Sequence, residues 1–444
     1  MTDDGSRTLH VGVLARVEGE AAMHVRVESG QVTDVELRIF EPPRFFEALL
    51  RGRAWTEPPD ITARICGICP VAYQMSSCQA IEDACGVTVP AELQRLRRLL
   101  YCGEWIESHA LHVYLLHAPD FLGYESAIDM ARDHRAVVER GLRLKKAGNT
   151  VMTVIGGRAV HPINVRVGGF HRLPDRGELN RLREVLTAAR QDALDTVELV
   201  ASFSFPDLEH DCVYLSLRAG AGPAGDGAPG TAGGYPIEAG SIVTSSGLEF
   251  GAGQFGEYVT EEHVPWSNAL HARLRDAGPY LVGPLARYSL NSAALSPLAQ
   301  EAARAAGLGA TCRNPFRSII VRAVELVYAC DEALRIIAEW DGAPAPAVAV
   351  PARPGTGCGV TEAPRGLLYH RYELAGDGTI LAARIVPPTS QNQPSIEQDL
   401  RAFVQPRLSL PTAELTRQCE QAIRNYDPCI SCATHFLDLT VEHT

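Results

Sequence analysis

The sequence lacks a long hydrophobic run. No uninterrupted apolar segment reaches the about 18 residues that a membrane-spanning helix needs. The first residues, "MTDDGSRTLHVGV", contain neither the basic segment nor the apolar segment of a secretion signal. The sequence therefore predicts a globular protein without direct membrane insertion, located by default in the cytoplasm.

An excess of positive charge is also missing. The 444 residues include 41 Lys and Arg against 53 Asp and Glu, which gives a formal net charge of -12. Because proteins that bind a phosphate backbone present basic surfaces, this balance argues against a nucleic acid partner. The sequence also lacks an internal repeat, a GxGxxG turn after a strand, and the closely spaced cysteines of an iron–sulfur cluster motif.

Cysteine, by contrast, is abundant, with 12 residues. Without a secretion signal, these are expected to be thiols rather than disulfides. Two CxxC pairs stand out, Cys66 and Cys69 in "ITARICGICPVAYQ" and Cys429 and Cys432 in "DPCISCATH". The other eight are single and are expected to be small buried hydrophobic residues. They are Cys78, Cys85, Cys102, Cys212, Cys312, Cys330, Cys358 and Cys419.

Hydrophobic periodicity indicates the fold class. Residues 91–118, 177–203 and 316–340 carry apolar side chains at three-and-four spacing, which predicts long helices of a bundle core. Alternating patterns on either side of Ser29-Gly30, and again within residues 366–386, predict antiparallel strands. The predicted class is α+β, mostly α, with a central bundle of long helices and small antiparallel sheets near the N-terminus and in the C-terminal third.

The domain organisation follows from the position of the cysteine pairs. They lie near opposite ends of the chain, so one domain spanning residues 1–444 is expected to build a site from both ends. Two segments rich in Gly, Pro and Ala, residues 219–236 and 341–357, are predicted to be loops. A last helix within residues 411–426 is predicted to lead into the second pair.

Four cysteines in two CxxC pairs predict a metal site, because the turn directs two sulfurs to one point and soft metals prefer sulfur. Structural zinc is the commonest site of this kind. An iron–sulfur or redox site and a catalytic nickel centre are the alternatives. Zinc ribbons usually take both pairs from nearby segments, whereas here the whole chain must close to form the site.

Five ordered segments resemble the large subunit of nickel-iron hydrogenases. "RICGICP" and "DPCISCATH" resemble its two cysteine signatures. "RVEGE" at residues 16–20, "GGRAVHPINVRVGGF" at 156–170 and "TEAPRG" at 361–366 resemble its R-[IV]-E-G, GG-x3-HP-x5-GG and APRG segments. "ITARICGICPVAYQ" and "IVPPTSQNQ" are most similar to the cytoplasmic, NAD(P)-linked class known as sulfhydrogenases.

The resemblance implies the large-subunit fold and a catalytic subunit that reversibly cleaves H2 into protons and electrons. Heterolytic cleavage needs a Lewis-acidic metal to take the hydride and a base to take the proton. By resemblance, Cys66 and Cys429 are terminal Ni ligands. Cys69 and Cys432 would bridge Ni to an Fe that carries CO and two cyanides.

The resemblance also assigns a role to Glu18. On residue type alone, Glu18 is an exposed strand carboxylate paired with Arg16. In the family, the matching glutamate stands beside a terminal cysteine and relays protons.

Arg365 and Asp427 form a second implied group. A loop arginine is usually solvated, and an aspartate before Pro428 usually turns the chain. In the family the APR arginine lies over the active site, where it can hydrogen-bond cyanide, with Asp427 as its candidate partner. The sequence has "IESH" where many periplasmic members have I-H-D-H, so Ser108 replaces an acid near this arginine.

Glu47 and His435 are the implied ligands of a magnesium ion. By itself Glu47 reads as the polar face of a short helix and His435 as a surface histidine. In the family, the matching residues bind Mg near the active site together with water and a backbone carbonyl. Val386 and Pro387 are expected to line the pocket near the iron ligands.

The remaining implications concern partners. Because this chain has no cluster motif, an iron–sulfur small subunit is expected, with further flavin and NAD(P)-binding subunits. Family precursors end in an extension removed after the histidine, so residues 436–444 form a candidate processed tail, with a maturation protease and nickel-insertion proteins as further partners. The alternatives are a structural four-cysteine Zn or Fe scaffold, a non-catalytic relative like the respiratory NADH dehydrogenase subunit of the same fold that lacks these four cysteines, and a membrane-linked energy-converting hydrogenase subunit.

Overall fold

The computed structural model describes residues 7–209, 211–220 and 234–434. Long helices dominate this part of the chain. The helices are α1 (Phe46–Leu50), α2 (Pro58–Thr62), α3 (Pro70–Cys85), α4 (Ala91–Leu111), α5 (Ala118–Leu122), α6 (Ala127–Asp133), α7 (Arg135–Gly156), α8 (Arg176–Ala201), α9 (Phe255–Tyr258), α10 (Pro284–Asn291), α11 (Pro297–Ala305), α12 (Ser318–Ala338), α13 (Pro388–Val404), α14 (Thr412–Arg424) and α15 (Ile430–Ala433).

The strands form small separate sheets. The strands are β1 (Arg7–Val11), β2 (Ala21–Glu28), β3 (Gln31–Ile39), β4 (Val165–Arg166), β5 (Gly169–Phe170), β6 (Val213–Arg218), β7 (Ser241–Thr244), β8 (Glu249–Phe250), β9 (Val259–Glu262), β10 (His271–Leu274), β11 (Tyr280–Leu281), β12 (Gly355–Ala363), β13 (Gly366–Leu374) and β14 (Ile380–Val386). The sheets β1-β2-β3, β4-β5, β10-β9 and β12-β13-β14 are antiparallel. The sheet β11-β6-β7-β8 is mixed, because β11 pairs parallel with β6.

The bundle consists of α4, α7, α8 and α12. Helix α4 contacts α7 and α12, and α12 contacts α8. Helices α4 and α12 are buried on almost every side, whereas α7 and α8 bury one face. Each outer helix therefore covers the core with a single apolar stripe. A π-helical turn, His112–His117, continues α4 beyond Leu111.

The C-terminal sheet packs closely against α3 through alternate glycines of β12. A side chain at Gly355, Gly357 or Gly359 would place its Cβ 2.5, 2.1 or 2.2 Å from a backbone oxygen of α3. Since such contacts do not occur, only glycine permits this approach. The close packing brings the turn between β12 and β13, which carries Arg365, to the helix that follows the first cysteine pair.

The structure confirms the predicted fold class. The long helices α4, α8 and α12, the hairpins β2-β3 and β13-β14, and helix α14 lie where the sequence patterns predict them. The patterns did not single out α3, α7 and α13, or the mixed sheet in the middle of the chain.

The two predicted loops have different outcomes. Residues 341–354 contain no helix or strand, whereas β12 begins at Gly355, within the last three residues of the predicted loop, and its glycines pack on α3. Of the other loop, only residues 219, 220 and 234–236 are described, without helix or strand, and residues 221–233 lie outside the described residues. Among the described helices, none is both long and apolar enough to cross a membrane.

Candidate metal centre

The first cysteine pair is built onto the start of α3. Cys66 is extended and Cys69 is the N-cap residue, with Pro70 as the first helical residue, where a missing N–H costs nothing. The carboxylate of Glu104 on α4 accepts hydrogen bonds from the N–H groups of Val71 at 2.6 Å and Ala72 at 3.1 Å. Burial raises the pKa of Glu104 well above its ordinary value. The bundle thus holds the helix that carries this pair.

The second pair depends on contacts with distant segments. Cys429 is the N-cap residue of the short helix α15, and Cys432 lies within that helix. The N–H of Cys429 donates to Oγ1 of Thr389 at 3.0 Å, and the N–H of Ile430 donates to the carbonyl of Glu18 at 3.0 Å. The guanidinium of Arg44 donates to the carbonyls of Ile65 and Ser431, so it links the two halves of the site directly.

The four sulfurs come together in the interior. All four thiols are buried, and their Sγ atoms lie within 4.8 Å of one another. Sγ of Cys66 lies 3.5 Å from that of Cys429, and Sγ of Cys69 lies 3.5 Å from that of Cys432. The two predicted terminal ligands are therefore neighbours, and so are the two predicted bridging ligands. Among the described residues, this is the one cluster of three or more His, Cys, Asp or Glu suited to a metal.

The donor set fits a metal cation. Hydrogen bonding to Cys429 lowers the pKa of the Cys66 thiol well below its ordinary value, whereas burial raises the pKa of Cys429 well above it. The buried cluster thus favours one thiolate, while further negative charges need a compensating cation. A soft divalent metal would provide that charge and would prefer sulfur ligands.

Glu18 lies against the second cysteine pair. Its Oε2 is 3.1 Å from Sγ of Cys429 and accepts the N–H of Ser431 at 3.1 Å. Its sequence neighbour Arg16 instead forms an ion pair with Asp120 at 2.5 Å. The interpretation of Glu18 as an exposed carboxylate paired with Arg16 is therefore wrong, because the chain turns at Arg16, which has φ 59°.

Arg365 is buried above the cysteines. Its Nη2 donates to Oδ1 of Asp427 at 3.0 Å, and its Nε donates to the Asp427 carbonyl at 2.8 Å. Asp427 adopts φ 51°, so it also turns the chain before Pro428. Burial raises the pKa of Asp427, while Arg365 and Arg322 oppose that rise. The solvated alternative for Arg365 is wrong, since its side chain is only 3% exposed.

One guanidinium nitrogen of Arg365 lacks a partner in the described part of the chain. Its Nη1 is buried and donates no hydrogen bond to any described residue. Arg365, Cys69, Cys429 and Cys432 border one small cavity. Because buried donors are almost always hydrogen-bonded, the free N–H fits an acceptor held at the metal, such as a cyanide nitrogen.

The same cavity is also lined by residues that sequence reasoning did not select. These are Tyr73, Ala363, Leu368, Pro388 and Thr389. Val386 and Pro387 are buried one or two positions earlier in the chain and do not border this cavity. Thr389 lies within "IVPPTSQNQ", a segment already quoted for the family resemblance, and that resemblance was the signal available in the sequence.

Glu47 lies where three segments meet. Its Oε1 accepts the N–H of Ile385 at 2.6 Å, and burial raises its pKa to about 7. The N–H of Arg44, three residues earlier, donates to the carbonyl of Thr434 at 2.6 Å. His435 follows Thr434 but lies outside the described residues, as does the tail of residues 436–444.

Comparison with known proteins shows the family. The model of the nickel-dependent hydrogenase family matches residues 44–140 and 279–435. Sulfhydrogenase 1 subunit alpha of Pyrococcus furiosus is 34% identical over 431 residues, covering 96% of this chain and 97% of that protein. The chain belongs to the nickel-dependent hydrogenase family.

Other members support this hydrogenase assignment. The beta subunit of the NAD-reducing hydrogenase HoxS of Cupriavidus necator is 28% identical, over 97% of this chain and 95% of that protein. The crystal structure of an NAD+-reducing [NiFe]-hydrogenase in the H2-reduced state superposes with a TM-score of 0.86 at 26% identity, covering 97% of this chain and 99% of that chain. The predicted family, fold and enzyme class are thus confirmed: this hydrogenase is a nickel–iron catalytic subunit, an oxidoreductase acting on H2.

Sequence reasoning missed several supporting residues of this hydrogenase. Glu104 and Arg44 anchor the two cysteine pairs, yet neither lies in a recognisable motif. Ser108 is buried and its hydroxyl has no partner among the described residues. Its neighbour Glu107 is also buried and pairs with Lys145 at 2.6 Å. The acid near this part of the site is therefore one position earlier than in the I-H-D-H pattern.

Proposed function

We propose that this hydrogenase cleaves H2 heterolytically at a nickel–iron centre held by Cys66, Cys69, Cys429 and Cys432. The electrons pass to an iron–sulfur small subunit and on to NAD(P) or a similar soluble carrier. The supporting observation is the convergence of four buried sulfurs within 4.8 Å, between a carboxylate and a buried guanidinium. A structural zinc site would not require those two charged groups.

The cysteines hold the metal group in the roles that the family resemblance assigns to them. Cys66 and Cys429 are proposed as terminal nickel ligands, and Cys69 and Cys432 as bridges to an iron that carries CO and two cyanides. When bound, this group supplies the Lewis acidity and the redox chemistry that H2 cleavage requires. The protein supplies the sulfur ligands, the surrounding charges and the route for the proton.

Glu18 is proposed to move the proton. Its Oε2 lies 3.1 Å from Sγ of Cys429, within hydrogen-bond reach of a thiol proton. Ser431 donates its N–H to the same oxygen, which fixes the carboxylate in that orientation. Glu18 is only partly buried, so the proton can continue toward the surface from this residue.

Arg365 and Asp427 are proposed to stabilise charge. Asp427 binds Nε and Nη2 of the guanidinium, whereas Nη1 has no partner among the described residues, and Arg365 borders the cavity. A fixed, permanently charged donor in a closed site stabilises negative charge without reorganising. Val386 and Pro387 are proposed to act only indirectly, as the buried residues that precede Pro388 and Thr389 of the cavity lining.

A magnesium ion is proposed at Glu47 and His435. Glu47 lies beside Ile385, and the backbone of Thr434, which precedes His435, is bonded to Arg44 three residues before Glu47. Carboxylate, backbone carbonyl and water oxygens are ligands that Mg prefers. Such an ion would tie the C-terminus to α1, and residues 436–444 are a tail that a maturation protease could remove.

The partner is proposed to dock beside the first cysteine pair. Two apolar residues there, Val160 and Ile163, are 51% and 54% exposed. Nδ1 of His161, which lies between them in the sequence, donates to the carbonyl of Ala63 at 2.7 Å, three residues before Cys66. Exposed apolar side chains next to a buried redox site suit a protein interface. An iron–sulfur subunit at this surface would lie near the metal.

The carrier and the location are proposed from the relatives and the cysteines. The similar proteins include an NAD-reducing hydrogenase and sulfhydrogenase alpha subunits, which supports a complex with flavin and NAD(P)-binding subunits. All twelve cysteines are free, which suits the reducing cytoplasm.

Metal content and infrared absorption of the purified complex test the proposal. We expect nickel and iron in the wild type, with bands from metal-bound CO and cyanide. The double variant Cys66→Ser/Cys429→Ser should lose both metals and bands, while Cys78→Ser, a buried cysteine of α3 outside the cluster, should keep them. Zinc without those bands in the wild type would contradict the proposal and favour a structural scaffold.

A further inference from the structure

Arg287 of α10 is buried beneath the segment that carries Arg365. All five of its N–H donors are engaged, which is the full number that a guanidinium offers. Nε and Nη2 donate to the two carboxylate oxygens of Glu325, both at 2.9 Å, and Nη1 donates to Glu362 at 3.0 Å. The remaining two donors bind the carbonyls of Ala363 at 2.6 Å and Pro364 at 2.9 Å.

Trp105 completes the support. The Arg287 guanidinium lies 4.4 Å from the centre of the Trp105 ring, a cation–π distance. The indole N–H of Trp105 donates to the carbonyl of Glu362 at 3.0 Å. The carbonyls of three consecutive residues before Arg365 are therefore each held by a buried side chain from the helical core.

The start of α10 approaches the same segment from another direction. A Cβ on Gly283 would lie 2.7 Å from the carbonyl oxygen of Arg365, and Gly283 has φ +108°. Glycine therefore permits the backbone of Arg365 to pack directly against the helix start. One turn later the same helix provides Arg287, whose N–H bonds to the Gly283 carbonyl at 2.8 Å.

The charges around Arg287 make this arrangement rigid. Glu325 and Glu362 are both fully buried and share the one guanidinium. Nε2 of His109 lies 2.8 Å from Glu325 on its other side. Although burial raises the pKa of Glu325, Arg287 and His109 together lower it to about 2. Removing the arginine would leave buried negative charge without compensation.

We propose that Arg287 is a positioning residue for the hydrogenase reaction, which sets the placement of the Arg365 guanidinium over the four cysteines by clamping the backbone of residues 362–364. This inference rests on the proposed function of Arg365. Arg287 itself does not border the cavity lined by the cysteines, so it acts only through the backbone. A lysine could keep the charge but could not bind two carboxylates and two carbonyls at once.

The test compares Arg287→Lys with Arg98→Lys in the assembled, metal-loaded complex. Arg98 is a matched control, because it is also buried, bonds to Glu238 and Glu332 at 2.6 Å each, and binds Tyr235 and Tyr328. It makes no hydrogen bond to residues 362–365. The readouts are nickel content, the cyanide stretching frequencies, and kcat and KM for H2.

We expect Arg287→Lys to shift the cyanide frequencies and to lower kcat between about 10- and 100-fold, with nickel content and KM retained. Arg98→Lys should leave the frequencies and the activity per nickel at wild-type values. Equal frequencies in wild type and Arg287→Lys, or equal shifts in both variants, would overturn the inference. A wild type without nickel or cyanide bands would instead overturn the proposed function itself.

A milder variant decides the case if Arg287→Lys does not fold or load nickel. Trp105→Phe keeps an aromatic ring beneath Arg287 but removes the single hydrogen bond to the Glu362 carbonyl. We expect Trp105→Phe to shift the cyanide stretching frequencies by less than Arg287→Lys, with nickel content retained. Unchanged cyanide frequencies in Trp105→Phe would count against the clamp.

Discussion

The two cysteine pairs share one spacing but are held in different ways. Cys66 and Cys69 lead directly into the 16-residue helix α3, which is packed in the core and anchored by Glu104. Cys429 caps, and Cys432 lies within, a helix of 4 residues near the end of the described chain. The first half is therefore part of the helical core, whereas the second half is placed by contacts with residues far away in the sequence.

This difference assigns different tasks to the two halves. The first half provides a rigid platform that borders the proposed partner surface. The second half is surrounded by the charged groups of the site, since Glu18 contacts Cys429 and Asp427 precedes it in the chain. The proposed ligands, proton acceptor and buried cation therefore meet where the second half packs against the first.

The largest effect is expected when either half loses a sulfur. Cys69→Ser and Cys432→Ser should each reduce nickel content and H2 oxidation to background, because the metal group needs sulfur from both halves. Nickel analysis and H2-uptake assays of the purified complex measure this. A variant of one half that retains full nickel would show that the two pairs are not equivalent ligand donors.

The next effect separates metal binding from proton transfer. Glu18→Gln keeps an oxygen for the Ser431 N–H but loses the basic carboxylate beside Cys429. We expect nickel content to be retained and H2 oxidation to fall about 100-fold or more. Glu20→Gln, at an exposed position two residues later, is the control and should keep wild-type activity. Full activity in Glu18→Gln would exclude this carboxylate as the proton acceptor.

A moderate loss of local stability is expected only around the second cysteine pair, when Arg44 is replaced. Arg44→Ala removes the guanidinium that bonds to the carbonyls of Ile65 and Ser431. Hydrogen bonds from charged donors make a net contribution of about 1.5–3 kcal/mol each, so we expect faster amide hydrogen exchange in residues 429–434. The amides of α3 should keep their protection. Arg53→Ala, which removes an exposed ion pair with Glu57, is the control.

The smallest effect is expected in the pH dependence of stability, through Glu104, which anchors the first cysteine pair. Burial raises the pKa of Glu104 well above its ordinary value of 4.5, so the folded state binds this proton more tightly than the unfolded state. The contribution of Glu104 to stability is therefore fully present below about pH 4.5 and is lost as pH rises above that value, with a slope up to about 1.4 kcal/mol per pH unit.

The variant Glu104→Gln should remove that part of the pH dependence. Denaturation midpoints of the metal-free protein between pH 5 and about 8 measure the slope. Glu92→Gln, in the first turn of the same helix α4, is the comparison. An unchanged slope in Glu104→Gln would show that Glu104 is not the buried proton binder of this half.

Much of the site was accessible from the sequence because its ligands lie in short motifs. The two CxxC pairs, Glu18 and the APR arginine are each marked by local neighbours. The supporting residues carry no such mark. Arg44, Glu104 and Arg287 are ordinary charged residues of helices or loops, and their partners lie in segments far from them in the sequence.

The fold shows the same division. Helices α4, α8 and α12 have strong periodic patterns, so their positions follow from the sequence. Helix α3 is buried on nearly all sides, and α13 contains Pro394 and polar residues that bond to other segments, so neither has a clear amphipathic pattern. Their helical form depends on what surrounds them.

The sequence by itself determined the chemistry: four sulfur ligands in two turns, a carboxylate, a guanidinium, and long helices able to bury them. Only the tertiary structure decided which sulfurs are neighbours, that Asp427 holds two nitrogens of Arg365 while the third has no partner in the described part of the chain, and that Arg287 binds the preceding backbone. The physical reason is that side-chain chemistry and helical periodicity are local properties, whereas distances between residues of different segments are set by packing of the whole chain.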